Sequence, residues 1–290
     1  MLSQQISYLI SCIAGHFQSS RKLCPECGSN QYGVVSRKRW LTSLVQCDRC
    51  CLRYRIPQDP PEHHFDFYQN AYTSSLATQC PTADQLSEML ASGFKKTEKN
   101  FDRRIELLTA LGLKQGQDIL DYGASWGYAT WQFQQFGFCA VGYEISKPRA
   151  KYARDFLHVN VCDGEDQVSD HSVDCVFSSH VLEHVPAPRL ALDFGKRVLR
   201  PGGLFVALTP NGSEACRKSH PNEYDHSWGR LHPLYLNAEF YAHCLQDRPF
   251  LLISSEYGEQ FDLKALAAWD QSSKYLGDVS KRELLVVVKF

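Results

Sequence analysis

The run Ile119-Leu-Asp-Tyr-Gly-Ala-Ser-Trp-Gly127, near the middle of the chain, constrains the fold most strongly. An apolar strand ends at the acidic residue Asp121, and the chain then turns through Gly123 and Gly127 into a helix that we predict to begin near Tyr128. A helix that follows a glycine-rich turn directs unpaired N–H groups and the positive end of its dipole at the loop. The run therefore predicts a site for an anionic or nucleoside ligand.

Glycines in tight turns often serve only to allow a positive φ, so the neighbouring strands have to decide between the two interpretations. The next predicted strand, Cys139-Ala-Val-Gly-Tyr-Glu144, ends in a glutamate that lies 23 residues after Asp121. Doubly wound nucleotide-binding folds place a ribose-binding carboxylate at about this spacing. Ser146 and Pro148 then fit the cap and the first turn of a helix. The alternative is that Glu144 is only a solvated residue before this helix, and its spacing from Asp121 argues against that.

Further strands follow at the same rhythm. Predicted strands at 159–161, 173–178 and 204–211 alternate with helical stretches, and two apolar, β-branched runs follow at 251–255 and 283–290. Strands that alternate with helices predict a doubly wound α/β sheet, whose ligands bind at the carboxyl ends of the strands.

The order of these segments and their amino-acid sequences resemble those of a class I S-adenosylmethionine-dependent methyltransferase over residues 98–290. The resemblance implies a Rossmann-like sheet of seven strands, the last two of them forming an antiparallel hairpin. It implies that Asp121 and the 123–127 backbone contact the methionine half of the cofactor, that Glu144 binds the ribose hydroxyls and that Asp163 binds the adenine amino group. Ser125 replaces the middle glycine of the family pattern, and Asp163 alone would read as a turn former. The implied cofactor-binding set is Asp121, Gly123, Ser125, Gly127, Glu144, Asp163 and Ser178.

Two Cys-x-x-Cys pairs, Cys24/Cys27 and Cys47/Cys50, lie near the start of the chain with 19 residues between them. This spacing is typical of a zinc ribbon, in which four thiolates complete the tetrahedron and leave no open position for catalysis. A redox dithiol would normally occur once, and a disulfide scaffold suits short secreted chains. We therefore predict a structural zinc ion, with Cys51 as a less well-spaced substitute for Cys50.

The segment His180-Val-Leu-Glu-His184 matches the His-x-x-Glu-His pattern of zinc proteases. It follows a predicted buried strand of a nucleotide-binding sheet, and the sequence shows no third zinc ligand at a spacing that would indicate a protease. It also resembles the Leu-Glu-His-Val stretch of the methyltransferase family. A metalloprotease is therefore a remote alternative.

The reaction that the resemblance implies is an in-line attack by a substrate nucleophile on the sulfonium methyl group. A hydroxyl acceptor needs a base, and histidine titrates near neutral pH. We predict His180 as this base because it follows the end of the fourth strand, and His232 as the second candidate. His184 and His226 are further candidates, although a lone histidine is more often a hydrogen-bonded structural residue.

We divide the chain into an amphipathic N-terminal helix (1–20), a zinc ribbon (21–60), a linker or helical cap (61–97) and the methyltransferase domain (98–290). In the first segment, Leu2, Ile6, Leu9, Ile10, Ile13 and Phe17 lie on one helical stripe. Such a stripe predicts packing on the protein itself or on a twin subunit, as in a homodimer. No apolar run approaches the ~20 residues that span a bilayer, and twelve cysteines favour a reducing cytoplasm.

The ribbon, followed by the aromatic stretch 65–72, also resembles a bacterial subgroup of these enzymes that is often associated with sugar or cell-surface glycan pathways. This resemblance predicts a small-molecule acceptor, a sugar or glycan-precursor hydroxyl. A net charge of −1 gives no general attraction to nucleic acid. The basic cluster Arg37-Lys-Arg39 nevertheless leaves an RNA or protein methyltransferase as the second reading, and a non-catalytic scaffold that has kept the fold as the third.

Overall fold

The computed structural model describes residues 2–38, 40–60 and 79–290. The aromatic stretch 65–72 and most of the predicted linker lie outside this range. No helix in the described part of the chain is both long enough and apolar enough to cross a lipid bilayer.

The N-terminal region consists of helix α1 (Leu2–His16) and a small antiparallel sheet. Its strands are β1 (Tyr32–Lys38), β2 (Thr42–Cys47) and β3 (Arg53–Ile56). The sequence predicts extended runs at 32–35 and 41–46, which fall on the first two strands. The fourth strand of this sheet is β9 (Leu234–Tyr235), which pairs antiparallel with β3 although it lies far downstream in the sequence. The ribbon is therefore joined by backbone hydrogen bonds to the second half of the chain.

The elements between the ribbon and β9 alternate between helices and strands, as the sequence predicts. They are α2 (Ala83–Ala91), α3 (Asp102–Ala110), β4 (Asp118–Tyr122), α4 (Tyr128–Phe136), β5 (Cys139–Tyr143), α5 (Lys147–Tyr152), β6 (Val161–Cys162), β7 (Val173–Ser179), α6 (Pro188–Val198), β8 (Leu199–Pro210), α7 (Glu214–Ser219) and α8 (Pro221–Ser227). After β9 follow α9 (Ala238–Cys244), β10 (Phe250–Ser255), α10 (Leu263–Ala268), β11 (Lys274–Leu276) and β12 (Glu283–Lys289).

The large sheet has the strand order β11-β10-β12-β8-β7-β4-β5-β6. Strands β4 to β8 run parallel, whereas β12 is antiparallel to both β8 and β10, so the predicted antiparallel edge is present. The sheet has eight strands instead of the expected seven, because the inserted segment after β10 adds the short edge strand β11. In register, Asp121 on β4 lies beside Gly142 on β5 and Phe177 on β7, so these strands end at one edge of the sheet.

Apolar side chains fill both faces of the sheet, and the ribbon belongs to one of these layers. Val45, Leu52 and Tyr54 of the ribbon are completely buried, in the same continuous apolar cluster as Phe205 of β8 and Phe240 of α9. Burial of this kind makes the ribbon part of the domain core rather than a separately tethered module.

The apolar stripe of α1 is exposed at the four positions whose side chains the structure describes. Leu9, Ile10, Ile13 and Phe17 are exposed, between 41% and 87%. The opposite side of the helix faces the protein instead, with Cys12 completely buried and the Tyr8 hydroxyl accepting a hydrogen bond from Arg55. Packing of the stripe on the protein itself or on a twin subunit, as in a homodimer, stays a prediction.

Candidate active site and cysteine cluster

The glycine-rich turn between β4 and α4 adopts a conformation that its sequence requires. Gly123 and Gly127 have φ values of +85° and +86°, a region that favours glycine. A Cβ atom added to Gly127 would lie 2.8 Å from Ala153 Cβ. Ser125 also has a positive φ, +53°, and its N–H donates to Glu144 Oε2 over 2.8 Å. This hydrogen bond offsets the conformational cost of a serine where the family pattern has glycine.

Glu144 follows the last residue of β5 and has a carboxylate that is held at both oxygens. Oε2 accepts from the Ser125 N–H and Oε1 from the Ser146 N–H, over 2.8 and 2.7 Å, and the residue is only 7% exposed. Burial raises the pKa of this carboxyl, while the two N–H groups and Arg149 oppose the shift. A carboxylate has about four lone-pair sites, so acceptor capacity remains for ligand hydroxyls.

A cavity of about 680 Å³ opens at this edge of the sheet. The polar and aromatic residues that line it form two groups. The first group comes from the end of β4, the glycine-rich turn and the end of β5. The second comes from the start of α3, the loops that follow β7 and β10, and the first residue of β12. The first group includes Tyr122, Gly123, Ser125, Tyr143 and Glu144, and the second includes Phe101, Arg104, His180, His184, Tyr257 and Glu283. The volume falls in the range of small-molecule sites.

The structure brings part of the predicted set to the cavity wall. Gly123, Ser125, Glu144 and His180 line the cavity. The other predicted residues, which are Asp121, Gly127, Asp163, Ser178 and His232, are not among its lining residues.

Two of those residues have a neighbour that reaches the cavity in their place. The Asp163 carboxylate lies 3.4 Å from Arg154 Nη2 and accepts from Gln167, while Glu165 lines the cavity. Ser178 is completely buried, and the following residue, Ser179, lines the cavity. The roles of Asp163 and Ser178 in cofactor binding stay predictions.

Asp121 stabilises the glycine-rich turn through a hydrogen bond to α4. Its Oδ2 accepts from the Thr130 hydroxyl over 2.7 Å, which links the end of β4 to the first turn of α4. Burial raises the pKa of Asp121 to about 7, against the opposing effect of the Thr130 hydrogen bond. The charged carboxylate is therefore costly in the folded protein, because burial disfavours the ionised form.

Replacing Asp121 by asparagine should change the pH dependence of stability. Because the folded-state pKa is raised from 3.8 to about 7, wild-type stability is full below the unfolded pKa and falls as pH rises through this window. Asparagine stays neutral, so we expect the stability of Asp121→Asn relative to wild type to increase between about pH 5 and about pH 8, by on the order of 3 kcal/mol. Thermal unfolding of the ligand-free protein across this range measures the difference.

Asp118→Asn is the matched control for that experiment. Asp118 lies at the other end of the same strand and pairs with Arg200 at the surface. Its variant should show no gain with rising pH, and an Asp121→Asn curve parallel to wild type would contradict the effect of burial.

The second group of lining residues contains a compact set of charges. Glu283 Oε1 accepts from His180 Nε2 over 2.9 Å and from Arg104 Nη2 over 2.6 Å, and Glu283 is completely buried. Burial alone would lower the pKa of His180, but the neighbouring carboxylates of Glu183 and Glu283 raise it to about 9. The two carboxylates therefore favour the protonated, hydrogen-bond-donating form of His180, whereas a general base must be unprotonated. The role of His180 as the general base stays a prediction.

Glu283 and Arg104 are site residues that the sequence did not indicate. The basic pair Arg103-Arg104 predicts a solvated face, yet the Arg104 side chain is only 16% exposed and pairs with Glu283. Glu283 opens the otherwise apolar strand β12, and an acidic residue in that position was the available signal. The antiparallel return of β12 beside β8 brings it to the cavity.

The four cysteines of the ribbon come together as the spacing predicts. The sulfur atoms of Cys24, Cys27, Cys47 and Cys50 all lie within 4.8 Å of one another, and the Cys24–Cys50 and Cys27–Cys47 pairs are each 3.5 Å apart. The hydrogen bond from Cys50 lowers the pKa of Cys24 to about 5. Cys51 is not part of this group. Four converging sulfurs are compatible with a tetrahedral metal site.

Two basic side chains of the ribbon, those of Lys38 and Arg53, contact the domain, whereas Arg37 is exposed. Lys38 donates to the Trp228 carbonyl, and its ammonium lies 4.3 Å from the centre of the Trp228 ring. Arg53 pairs with Glu214 and donates to the Gly212 carbonyl. Arg39 lies outside the described residues.

A family model described as a methyltransferase domain matches residues 94–255, more than half of the chain. A probable S-adenosylmethionine-dependent methyltransferase from Mycolicibacterium smegmatis is 33% identical over 33% of this chain and 39% of its own length. A demethylmenaquinone methyltransferase from Tropheryma whipplei is 28% identical over 43% of this chain and 52% of its own length. The chain thus spans about half or less of the curated relatives it matches.

Among solved structures, a SAM-dependent methyltransferase from Archaeoglobus fulgidus is 15% identical, with a TM-score of 0.47. The similarity covers 70% of this chain and 99% of that one. Similarity at this level does not assign a ligand or a substrate.

Proposed function

The chain belongs to the methyltransferase-domain family, and on this basis we propose that it binds S-adenosylmethionine and transfers the methyl group to a small-molecule acceptor. The observation that carries the proposal is the position of Glu144. Its carboxylate is fixed by two backbone N–H groups, lies beside a turn with two positive-φ glycines and lines the cavity. A carboxylate held in this way suits the two adjacent hydroxyls of a ribose.

We assign the two groups of lining residues to the two reactants. Gly123, Ser125 and Glu144 would hold the methionine and ribose portions of the cofactor, while His180, Arg104 and Glu283 would contact the acceptor. The enclosed lining includes four tyrosines, which offer apolar faces as well as hydroxyls, and they are Tyr122, Tyr128, Tyr143 and Tyr257. We place the catalytic domain at residues 98–290 and the ribbon at residues 21–60.

S-adenosylmethionine would supply the electrophilic sulfonium methyl group, and the protein would chiefly align the acceptor with it. Alignment of this kind accounts for about 7 to 11 kcal/mol of a barrier. His180 faces the cavity with its Nε2 donating to Glu283, so a polar acceptor atom can meet a fixed hydrogen-bonding group there. A sugar or glycan-precursor hydroxyl suits this polar set.

A second acceptor class has its own support. The relative from Tropheryma whipplei is named for demethylmenaquinone. Val181, Val185, Pro186 and Leu190 give this cavity an apolar wall beside the polar groups. An aromatic or lipid-like acceptor is therefore the alternative to a sugar. An RNA acceptor bound through the ribbon has less support, since Lys38 is occupied by Trp228.

We further propose that the four ribbon cysteines bind a structural zinc ion. The convergence of all four sulfurs supports this assignment. Four protein ligands would leave no position for a substrate, so the ion would stabilise the fold and take no part in methyl transfer.

The test of the proposed function is calorimetric titration with S-adenosylmethionine and S-adenosylhomocysteine. We expect wild-type protein to bind both and Glu144→Gln to bind at least about tenfold more weakly. The amide loses the charge of the carboxylate, and a hydrogen bond to a charged group contributes about 1.5 to 3 kcal/mol. Each 1.4 kcal/mol corresponds to about a tenfold change in affinity.

Glu106→Gln is the matched control, because Glu106 is exposed on α3, is not among the cavity-lining residues, and loses the same charge. It should bind as wild type does. Absence of binding by well-folded wild-type protein would refute the proposed activity and favour the scaffold reading. Asp163→Asn, titrated in parallel, tests the adenine role: normal binding by this variant would turn attention to Glu165.

A further inference from the structure

A second group of metal-ligating side chains lies beside the cavity, apart from the ribbon cysteines. One potential ligand atom each from Glu183, His184 and His232 lies within 4.8 Å of the others, and the two imidazole rings are 4.9 Å apart. Glu183 and His184 occupy the turn after β7. His232 comes from the segment immediately before β9. The tertiary structure therefore adds a third potential ligand to two residues of the local His-x-x-Glu-His pattern.

Both histidine rings hydrogen-bond to a backbone carbonyl. His232 Nδ1 lies 2.6 Å from the Ser227 carbonyl, which can only accept, so Nδ1 carries the proton and Nε2 the lone pair. The His184 ring also hydrogen-bonds to a backbone carbonyl, that of Leu231. Metal-binding histidines characteristically donate their other ring N–H to a carbonyl or carboxylate in this way.

Glu183 provides a separate observation that points to a ligand. It is completely buried, and neither carboxylate oxygen accepts a hydrogen bond from any residue that the structure describes. The nearest imidazole nitrogens are His180 Nδ1 at 3.4 Å and His184 Nε2 at 3.9 Å. A buried carboxylate is costly unless it is paired or binds a metal. His180 divides its interaction between Glu183 and Glu283 and offsets part of this cost. A cation between Glu183 and the other two histidines, His184 and His232, would offset the rest.

We propose that Glu183, His184 and His232 bind a zinc-type divalent metal ion at the wall of the cavity. Two imidazoles and one carboxylate are a ligand set that proteins use for zinc with the fourth position left open. Ligands about 2.1 Å from a tetrahedral zinc ion lie about 3.4 Å apart, so the three side chains need to approach only slightly. His180 lies outside this set and lines the cavity.

The position of the ion suggests what occupies its fourth site. His184 lines the cavity, next to the group of residues that we assign to the acceptor. Water would take the open position in the free protein, and an oxygen atom of the acceptor would take it in the complex. This last step rests on the proposed methyltransferase function, whereas the metal site itself does not. As a metal ligand, His232 is not available as a general base.

The ribbon fixes one of the three ligands. The Arg55 N–H donates to the Pro233 carbonyl over 2.8 Å, and β3 pairs with Leu234–Tyr235 immediately afterwards. The Leu234 N–H in turn lies 3.3 Å from the Glu183 carbonyl. The cysteine cluster thus supports the strand that places His232 against Glu183, which gives the ribbon a positioning role in this second site.

Cobalt substitution of the untagged, chelator-treated full chain tests the proposal, because cobalt bound to thiolates shows a charge-transfer absorption that nitrogen and oxygen ligands lack. We expect wild-type protein to bind two equivalents of Co²⁺, one with and one without the thiolate absorption. Glu183→Gln and His232→Ala should each lose only the equivalent without it. His226→Ala, an exposed histidine of the same segment, should retain both.

The thiolate absorption in each variant also reports that the ribbon has folded. Binding of a single equivalent by wild-type protein, all of it with thiolate absorption, would overturn the proposal, as would retention of both equivalents by both ligand variants. Titration of S-adenosylmethionine on the same samples separates the two hypotheses. Cofactor binding with only one cobalt equivalent refutes the second site alone, and two equivalents without cofactor binding refute the proposed function alone.

Discussion

Loss of one ribbon cysteine, as in Cys27→Ser, should unfold residues 21–60 and strongly destabilise the rest of the protein. Structural zinc contributes roughly 10–16 kcal/mol of apparent binding free energy in zinc-finger peptides, whereas a domain's net stability is only about 5–15 kcal/mol. The ribbon also shares its core with the domain: Leu52 and Tyr54 are completely buried in the cluster that includes Phe240. We therefore expect a large fall in the thermal midpoint and loss of bound zinc.

Cys51→Ser is the control for this change. Cys51 adjoins Cys50 but is not part of the four-sulfur group, so its variant should retain both the zinc and the thermal midpoint. Chelation of wild-type protein should reproduce the Cys27→Ser result. Unchanged metal content and unfolding temperature in Cys27→Ser would show that the cluster does not hold a structural ion.

Gly123→Ala should impair both folding and cofactor binding, through a clash that the structure locates. An alanine Cβ at this position would lie 2.3 Å from Val181 Cγ2, and the backbone φ of +85° is unfavourable for alanine. Overpacking costs about 1–3 kcal/mol in addition to the backbone penalty. Because Gly123 lines the cavity, the shift needed to relieve the clash should weaken S-adenosylmethionine binding at least about tenfold, as calorimetric titration would measure.

Gly116→Ala separates the two causes. Gly116 has almost the same φ, +86°, but an added Cβ would have nothing within 4 Å. This variant should lose only about 1–2 kcal/mol of stability, from the unfavourable backbone conformation, and should bind the cofactor normally. Val181→Ala should partly rescue Gly123→Ala by removing the clashing methyl groups. Equal losses of stability in Gly116→Ala and Gly123→Ala would show that the Val181 contact does not matter.

The parts of the site that the sequence predicted correctly are those formed by contiguous residues. The strand, the glycine-rich turn and the helix at Tyr128 are encoded locally, because positive φ and apolar periodicity restrict the backbone over a few residues. The same holds for each Cys-x-x-Cys pair. The position of Glu144 at a strand end followed from the parallel arrangement, in which successive strands end at one edge.

The features that the sequence did not indicate concern residues whose neighbours are distant in the chain. Arg104 looked solvated until β12 brought Glu283 beside it. The stripe on α1 was expected to pack on the protein itself or on a twin subunit, and only the structure shows that the opposite face of the helix carries the buried Cys12. His180 was predicted as a general base from its position alone, and only the tertiary structure places beside it the carboxylates of Glu183 and Glu283, which raise its pKa.

By itself, the sequence determined the alternation of strands and helices, the glycine-rich turn and the pairs of cysteines, since each depends on the conformational preferences of adjacent residues. Only the tertiary structure decided that the ribbon shares a sheet with β9, that Glu283 joins His180 and that His232 meets Glu183 and His184. These contacts join segments far apart in the chain. They depend on how elements pack and pair across the whole molecule, which no local pattern records.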